Sequence, residues 1–139
     1  MKYNLFIGRY QSPHKGHQQI FDEYLKKGLP VLIAVRDVVP DKNNPLPAYA
    51  VQTLWQEVYR DNPLVRVIII PDIETVNYGR GVGYEVKEIK VDDKIASISA
   101  TDIRNQIMEN KTGWKEFVDE RIHKHLEDVM KETIGNRAE

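Results

Sequence analysis

Two histidines, a lysine and an arginine crowd one short stretch of this sequence, GRYQSPHKGH, which runs from Gly8 to His17. No carboxylate occurs between Met1 and Phe21, so the start of the chain is neutral or basic. Imidazole and ammonium groups suit an anion such as a phosphate, and the two glycines let backbone N–H groups come close to it. The stretch therefore predicts a local anion-binding turn.

The segments around this stretch predict a strand, a turn, a helix and a second strand. Tyr3–Gly8 is a short apolar strand, and residues from about His17 to Lys27 place apolar side chains on one helical face. Val31–Val35 is a continuous apolar run, as is typical of a buried parallel strand. The turn would then open at the carboxyl ends of the strands, where the positive end of the helix dipole also favours anions.

The rest of the chain continues the alternation of helices and strands. Helical spacing covers Ala48–Tyr59, an apolar strand covers Val65–Ile70, and a long loop follows Pro71. Ser99, with Asp102 three residues later, predicts a capped helix start. A last amphipathic helix, about 114–134, would pack against the sheet or against another subunit. This order predicts an α/β fold with a Rossmann-like, doubly wound parallel sheet and flanking helices.

Composition limits the classes of function. The chain of 139 residues is long enough for one domain, and we assign residues 1–139 to it. Its 20 basic and 21 acidic residues give a net charge of −1, which predicts no general attraction to nucleic acid or to a membrane. It has no cysteine and no apolar run of bilayer length, so we expect a cytoplasmic protein without a signal peptide.

Three common sites are excluded at the histidine stretch. It is not a P-loop, because Lys15 precedes Gly16 and no serine or threonine follows, and it lacks the Gly-x-Gly-x-x-Gly pattern of dinucleotide sites. His14 and His17 could be zinc ligands, but no cysteine exists and no third ligand stands nearby, so we predict no protein-bound metal. Each histidine alone could also be an ordinary turn residue.

Two separated motifs carry a family resemblance. HKGH in a strand-turn-helix connection, with ISATDIR about 80 residues later, resembles the nucleotidylyltransferase superfamily, whose signatures are His-x-Gly-His and Ile-Ser-x-Thr-x-Ile-Arg. The longer opening GRYQSPHKGH is most similar to that of nicotinamide mononucleotide adenylyltransferases of the archaeal and related bacterial type. The resemblance covers the chain from Ile7 to about Met108.

The resemblance implies transfer of a nucleotidyl group, favouring AMP from ATP, to a phosphorylated small molecule such as nicotinamide mononucleotide, with release of pyrophosphate. It implies a magnesium ion that arrives with the nucleoside triphosphate, and a homo-oligomer. His14, His17 and Arg104 would be the catalytic residues. The other residues that it assigns to the nucleotide are Gly8, Arg9, Tyr10, Lys15, Gly16, Ser99 and Thr101.

The glycine-rich segment YGRGVGYE is the candidate binding site for the acceptor. Arg80 would pair with the phosphate of the acceptor, and Tyr78 or Tyr84 would stack on a ring. The plain alternative is a turn. Arg36, just after the second strand, is a further acceptor candidate, and its alternative is a salt bridge to Asp37 or Asp72.

The identity of both substrates stays open. In the segment NPLPAYAVQT, Val51 stands where the adenylyltransferases of this type have an arginine, so the acceptor could also be phosphocholine, glycerol phosphate, phosphopantetheine or a sugar phosphate. One alternative is a CTP-dependent cytidylyltransferase acting on a phosphorylated alcohol. Another is a non-catalytic nucleotide sensor whose last helix transmits binding to a partner.

Overall fold

The described part of the chain forms a parallel sheet with helices, as the alternating pattern predicts. The computed structural model describes residues 1–89 and 98–137. The first elements are β1 (Asn4–Gly8), α1 (Lys15–Lys26), β2 (Val31–Asp37), α2 (Ala48–Val58) and β3 (Val65–Pro71). They are followed by α3 (Ala100–Met108), by two 3₁₀ turns (Gly113–Phe117 and Glu120–Ile122), and by α4 (His123–Arg137).

The strands lie side by side in the order in which they occur in the chain. Within the described residues the sheet has three strands in the order β1-β2-β3, and both pairings are parallel. Asn4 lies opposite Val31, which lies opposite Val65, so the carboxyl ends of the three strands meet at one edge. The central strand β2 is the most buried, as its unbroken apolar run predicts.

Both crossover helices lie on the same face of this sheet. Parallel crossovers are right-handed, so two that step in the same direction put their helices on one side. Phe21 of α1 meets Trp55 of α2 with ring centroids 5.2 Å apart, and the Tyr59 hydroxyl donates to Asp22 Oδ1 at 2.9 Å. A doubly wound sheet needs helices on both faces, and that part of the prediction stays a prediction.

The hydrophobic core fills the space between this face and the C-terminal elements. A hydrogen bond between His125 Nδ1 and Glu57 Oε2, 2.6 Å apart, joins α4 to α2 at the edge of the core. Among the described residues, no helix combines the length and the hydropathy that a membrane span requires. The largest fully buried side chains include Trp55, Trp114, Phe21, Ile33, Leu46, Leu54, Ile103, Ile107, Ile122, Leu126 and Met130.

The last helix begins later than its apolar spacing predicts. Residues 113–122 form the two 3₁₀ turns, and the helix starts only at His123. Asp119 is responsible for the break, because its side chain accepts from Arg121 N at 2.9 Å and caps the second turn. Trp114 and Ile122 are still buried, so the predicted packing role holds although a single helix from residue 114 is wrong.

The long loop predicted after Pro71 has two parts. Residues 72–89 form a loop, as predicted, and contain neither the short helix nor the short strand that the sequence also allows there. The remainder of the predicted loop falls on residues 90–97, which lie outside the described residues.

Candidate functional site

The turn after β1 is held by a tyrosine that folds back over the end of the strand. Gly8 has no room for a side chain, because a Cβ there would lie 2.9 Å from Tyr10 Cζ. Tyr10 has φ of +50°, in the left-handed region, and its ring is 9% exposed against Trp55 and His17, with centroids 5.6 and 4.9 Å away. Burial raises the pKa of the Tyr10 hydroxyl. The sequence assigns Tyr10 to the nucleotide, and the structure packs its ring against the ring of His17.

The two histidines of HKGH stack on each other at the start of α1. Their ring centroids are 4.0 Å apart, with 22° between the planes. His14 caps the helix, because Gly16 N donates to His14 Nδ1 at 3.0 Å. Since Nδ1 accepts this bond, the neutral ring carries its proton on Nε2. The two side chains that the sequence singles out are therefore together, and Gly16 supplies the capping N–H.

Both imidazoles are neutral at physiological pH. Burial lowers the pKa of His14 to about 4. Burial, together with the positive charge of a protonated His14, lowers the pKa of His17 to about 3. An anion beside the rings would favour their charged forms and raise both pKa values again.

Three buried polar atoms around the same turn lack a hydrogen-bond partner among the described residues. These atoms are Ser12 Oγ, His17 Nδ1 and Trp55 Nε1. A buried polar group without a partner costs about 1–3 kcal/mol, so such atoms usually serve a ligand or an ordered water. None of these atoms except His17 Nδ1 belongs to a residue predicted from the sequence.

The loop that follows β2 is fastened to the histidine turn. Gln11 Nε2 donates to Leu46 O at 2.7 Å, and Leu46 N donates to Gln11 Oε1 at 2.8 Å. Both hydrogen bonds are buried. The side-chain amide of Gln11 thus pairs with the backbone of Leu46 as the backbone of a neighbouring β-strand would. Gln11 lies inside the quoted stretch, but the sequence gives no sign of its partner 35 positions away.

The second motif reaches the same loop from the other side. Arg104, in the second turn of α3, is 8% exposed, and its Nη1 donates to Asn43 O at 3.1 Å. In the part of the chain that the structure describes, no carboxylate forms a salt bridge with this guanidinium. Asn43 and Leu46 are three residues apart, so the histidine turn and Arg104 flank one short loop. A buried cation without a carboxylate is suited to an anionic ligand.

The remaining nucleotide candidates divide into caps and exposed groups. Ser99 caps α3, accepting from Asp102 N at 3.2 Å, as predicted. Thr101 follows it in the first turn and is exposed. Arg9 and Lys15 are exposed as well, and the charge of Arg9 helps to lower the pKa of Asp41 and Asp72.

Among the described residues, no hydrogen bond or ring contact joins the acceptor candidates to the histidines. Arg36 Nε donates to Asp72 Oδ1 at 2.9 Å, which is the salt bridge that the sequence offered as the alternative. Tyr78 is 61% exposed, and Arg80 is exposed beside it. Gly81 and Gly83 have φ of +86° and +84°, so the segment uses glycine for its backbone conformation.

An open cavity of about 290 Å³ lies at the end of β1. This is the lower end of the range for small-molecule sites. Gly8, Arg9, Tyr10 and His17, all predicted from the sequence, line it together with Phe6, Ile7, Ile20 and Phe21.

Neither a search for metal-binding clusters among the described residues nor a comparison with protein families and curated proteins gives a match. Within residues 1–89 and 98–137, no group of three or more histidine, aspartate or glutamate side chains could hold a metal ion. No protein-family model matches the chain, and a search of curated proteins finds no relative either.

Proposed function

We propose that this protein transfers AMP from ATP to a phosphorylated small molecule and releases pyrophosphate. The acceptor in the proposal is a phosphate monoester, with nicotinamide mononucleotide as the first candidate. The proposal includes a doubly wound sheet, a cytoplasmic location and a homo-oligomer, as the motif resemblance implies.

One observation carries this proposal. A stacked pair of neutral imidazoles, the buried His14 and the half-buried His17, and a buried arginine without a carboxylate among the described residues flank the same loop after β2. The helix that begins at Lys15 adds backbone N–H groups on the histidine side. A polyphosphate chain offers several negative oxygens in a row, and it would satisfy both sides of the loop at once.

The chemistry needs no nucleophile from the protein. An oxygen of the acceptor phosphate attacks the α-phosphorus of ATP, a new P–O bond forms, and the bond to the bridging oxygen breaks as pyrophosphate leaves. Negative charge grows on the bridging and non-bridging oxygens. His14, through its Nε2–H, and His17 would donate to these oxygens, and one such donor is worth about 3–4 kcal/mol in the transition state.

Arg104 would hold the leaving pyrophosphate. Its guanidinium is always charged and offers paired N–H groups that match phosphate oxygens. The substrate would be the magnesium complex of ATP, because phosphates and water are the usual ligands of this ion when it accompanies a nucleotide. The ion would neutralise part of the charge of the triphosphate.

Pyrophosphate release tests this proposal. Each of the four nucleoside triphosphates is combined with a panel of phosphorylated acceptors that includes nicotinamide mononucleotide, phosphocholine, glycerol phosphate, phosphopantetheine and a sugar phosphate. We expect release with ATP and one acceptor class. Release with CTP alone would favour a cytidylyltransferase, and binding without release across the panel would favour a nucleotide sensor.

A further inference from the structure

We propose that Arg36 and Arg9 bind the phosphate of the acceptor, and that Asp72 competes with it as an anion built into the chain. Asp72 would then set how strongly the protein holds a phosphorylated acceptor. The inference rests on the proposed function for the identity of the anion, whereas the competition between Asp72 and phosphate can be measured without any nucleotide.

The carboxylate of Asp72 engages Arg36 through a single oxygen. Nε and Nη2 of Arg36 both donate to Asp72 Oδ1, and the backbone N–H of Ile73 donates to that oxygen as well, at 3.0 Å. Arg36 Nη2 also donates to Ile73 O at 3.3 Å. The strong arrangement for a guanidinium is a fork in which two parallel N–H groups meet two oxygens. A phosphate can form this fork with Arg36, whereas Asp72 in its present geometry does not.

The pair is also open to exchange. The side chain of Arg36 is 24% exposed and that of Asp72 is 50% exposed. Ion pairs in such contact with water add little to stability, so a dianion from solution can replace the carboxylate at small cost. The hydrogen bond and the charge of Arg36 keep the pKa of Asp72 below its usual range, so Asp72 is ionised and competes at neutral pH.

The sheet brings a second cation to the same place. Gly8 lies opposite Val35, so Arg9 follows β1 at the level of Arg36, and Asp72 follows β3 on the other side of β2. The charge of Arg9 acts on Asp72 as well as on Asp41 in the neighbouring loop. Ligands of parallel sheets bind at this carboxyl edge. Arg36 forms a salt bridge there with Asp72, whereas Arg9 forms none with a carboxylate of the described residues.

This edge is continuous with the proposed nucleotide site. Arg9 immediately follows Gly8 in the chain and lines the same cavity as His17. The loop after β2, which Gln11 and Arg104 both contact, starts from the strand that carries Arg36. A phosphate on Arg36 would therefore lie beside the turn that we assign to the triphosphate, as an attacking group must.

An NMR titration with inorganic phosphate tests the competition. The Nε–Hε signal of Arg36 in the ¹⁵N-labelled full chain, assigned by its loss in Arg36→Lys, is followed against phosphate concentration in the wild type and in Asp72→Asn. We expect phosphate to shift this signal and Asp72→Asn to lower the Kd by roughly two- to fivefold, because the lost competitor was a weak exposed pair. Asp72→Ser, which keeps an oxygen for the N–H of Ile73, is expected to act alike.

The matched control is Asp128→Asn, which breaks an exposed pair with Lys124 on α4 and is expected to leave the Kd unchanged. The proposal is overturned if phosphate does not shift the Arg36 signal, or if the Asp72 variants bind phosphate equally or more weakly. If phosphate binds as expected but no acceptor supports pyrophosphate release, the proposed function fails while the competition at Arg36 stands.

Discussion

The histidine turn and the segment after β3 differ in how the fold holds them. Around the turn, His14 and Tyr10 are buried, and Gln11 ties the turn to the loop after β2 through two hydrogen bonds. In residues 76–89, Tyr78 and Tyr84 are 61% and 71% exposed. Packing and hydrogen bonds orient the side chains of the first region, whereas packing does not orient the exposed side chains of the second.

This difference indicates that the fold orients the nucleotide side of the proposed site before substrates bind, but not the exposed acceptor segment. Charge that develops in a transition state is best stabilised by donors that are already in place, and the histidine turn meets that condition. The segment that would bind the acceptor can become ordered when the acceptor binds. The entropy cost of ordering each side chain is then offset by part of the binding free energy of the acceptor. Variants in the two regions should therefore change different kinetic constants.

The largest effect is expected at His17. His17→Ala removes a donor to the developing charge, so kcat should fall by about 10²–10³ while the Kd for ATP changes little. Steady-state kinetics and equilibrium binding measure the two quantities. His125→Gln, on α4, is the control and should leave both unchanged. A variant that changes only the Kd would contradict a role of His17 in the transition state.

The buried imidazole of His14 should make stability depend on pH. Its pKa is about 4 in the folded protein and about 6.5 in the unfolded chain. The unfolded state binds the proton more strongly, so the free energy of unfolding is highest above pH 6.5 and falls as the pH drops toward 4, by about 3 kcal/mol for this group.

Urea unfolding of wild type and His14→Asn between pH 4 and 7 measures this dependence. Asparagine still accepts from Gly16 N as a helix cap but does not titrate in this range. We expect a flatter profile for the variant, with the remaining slope due in part to His17. Parallel profiles would mean that His14 is not kept neutral by the fold.

Arg104 should govern the affinity for the triphosphate. Charge-assisted hydrogen bonds contribute about 1.5–3 kcal/mol each, so Arg104→Ala should raise the Kd for ATP roughly 10- to 100-fold. Isothermal titration measures the Kd, and Arg60→Ala, at an exposed arginine after α2, is the control. An unchanged Kd for ATP in Arg104→Ala would show that Arg104 does not bind the triphosphate together with the histidine turn.

A methyl group at Gly8 should disturb the histidine turn through Tyr10. The added Cβ would lie 2.9 Å from Tyr10 Cζ, so the ring must move, and we expect a loss of about 1–3 kcal/mol in the free energy of unfolding. Gly135→Ala is the control, because nothing lies within 4 Å of a Cβ at that position. Equal stability of the two variants would show that Tyr10 is not fixed over Gly8.

The smallest effect is expected in the exposed segment. Arg80→Ala should raise the KM for the acceptor by about tenfold at most and leave the Kd for ATP unchanged, because an exposed charge contributes about 1 kcal/mol or less. Lys87→Ala removes a cation from the same segment and serves as the control. A change confined to ATP binding would overturn the assignment of this segment to the acceptor.

Local patterns predicted the parts of the fold that local forces determine. The β-strands follow from apolar runs, and Ser99 is the helix cap that its spacing with Asp102 predicted. The apolar spacing after Trp114 predicted one long helix, because it repeats every three to four residues. The break depends on Asp119, which caps the second 3₁₀ turn by accepting from Arg121 N. Asp119 also accepts from Gln18 in α1, and this second contact has no local signal.

The site could be predicted in part for the same reason. His14 and His17 are neighbours along one helix start, so their proximity follows from the sequence alone. Gln11, Asn43 and Leu46 join the turn to α3 through contacts between distant positions, and no periodicity encodes these. Whether Arg36 pairs with Asp72 or with Asp37 likewise depended on the register of β2 and β3.

The most direct test of the central claim is a titration of the labelled protein with inorganic triphosphate. The imidazole signals of His14 and His17 and the Nε–Hε signal of Arg104 are followed together. If both helix starts hold one polyphosphate chain, all three groups shift with a single common Kd. Shifts at the histidines without any at Arg104, or two clearly different Kd values, would contradict the account.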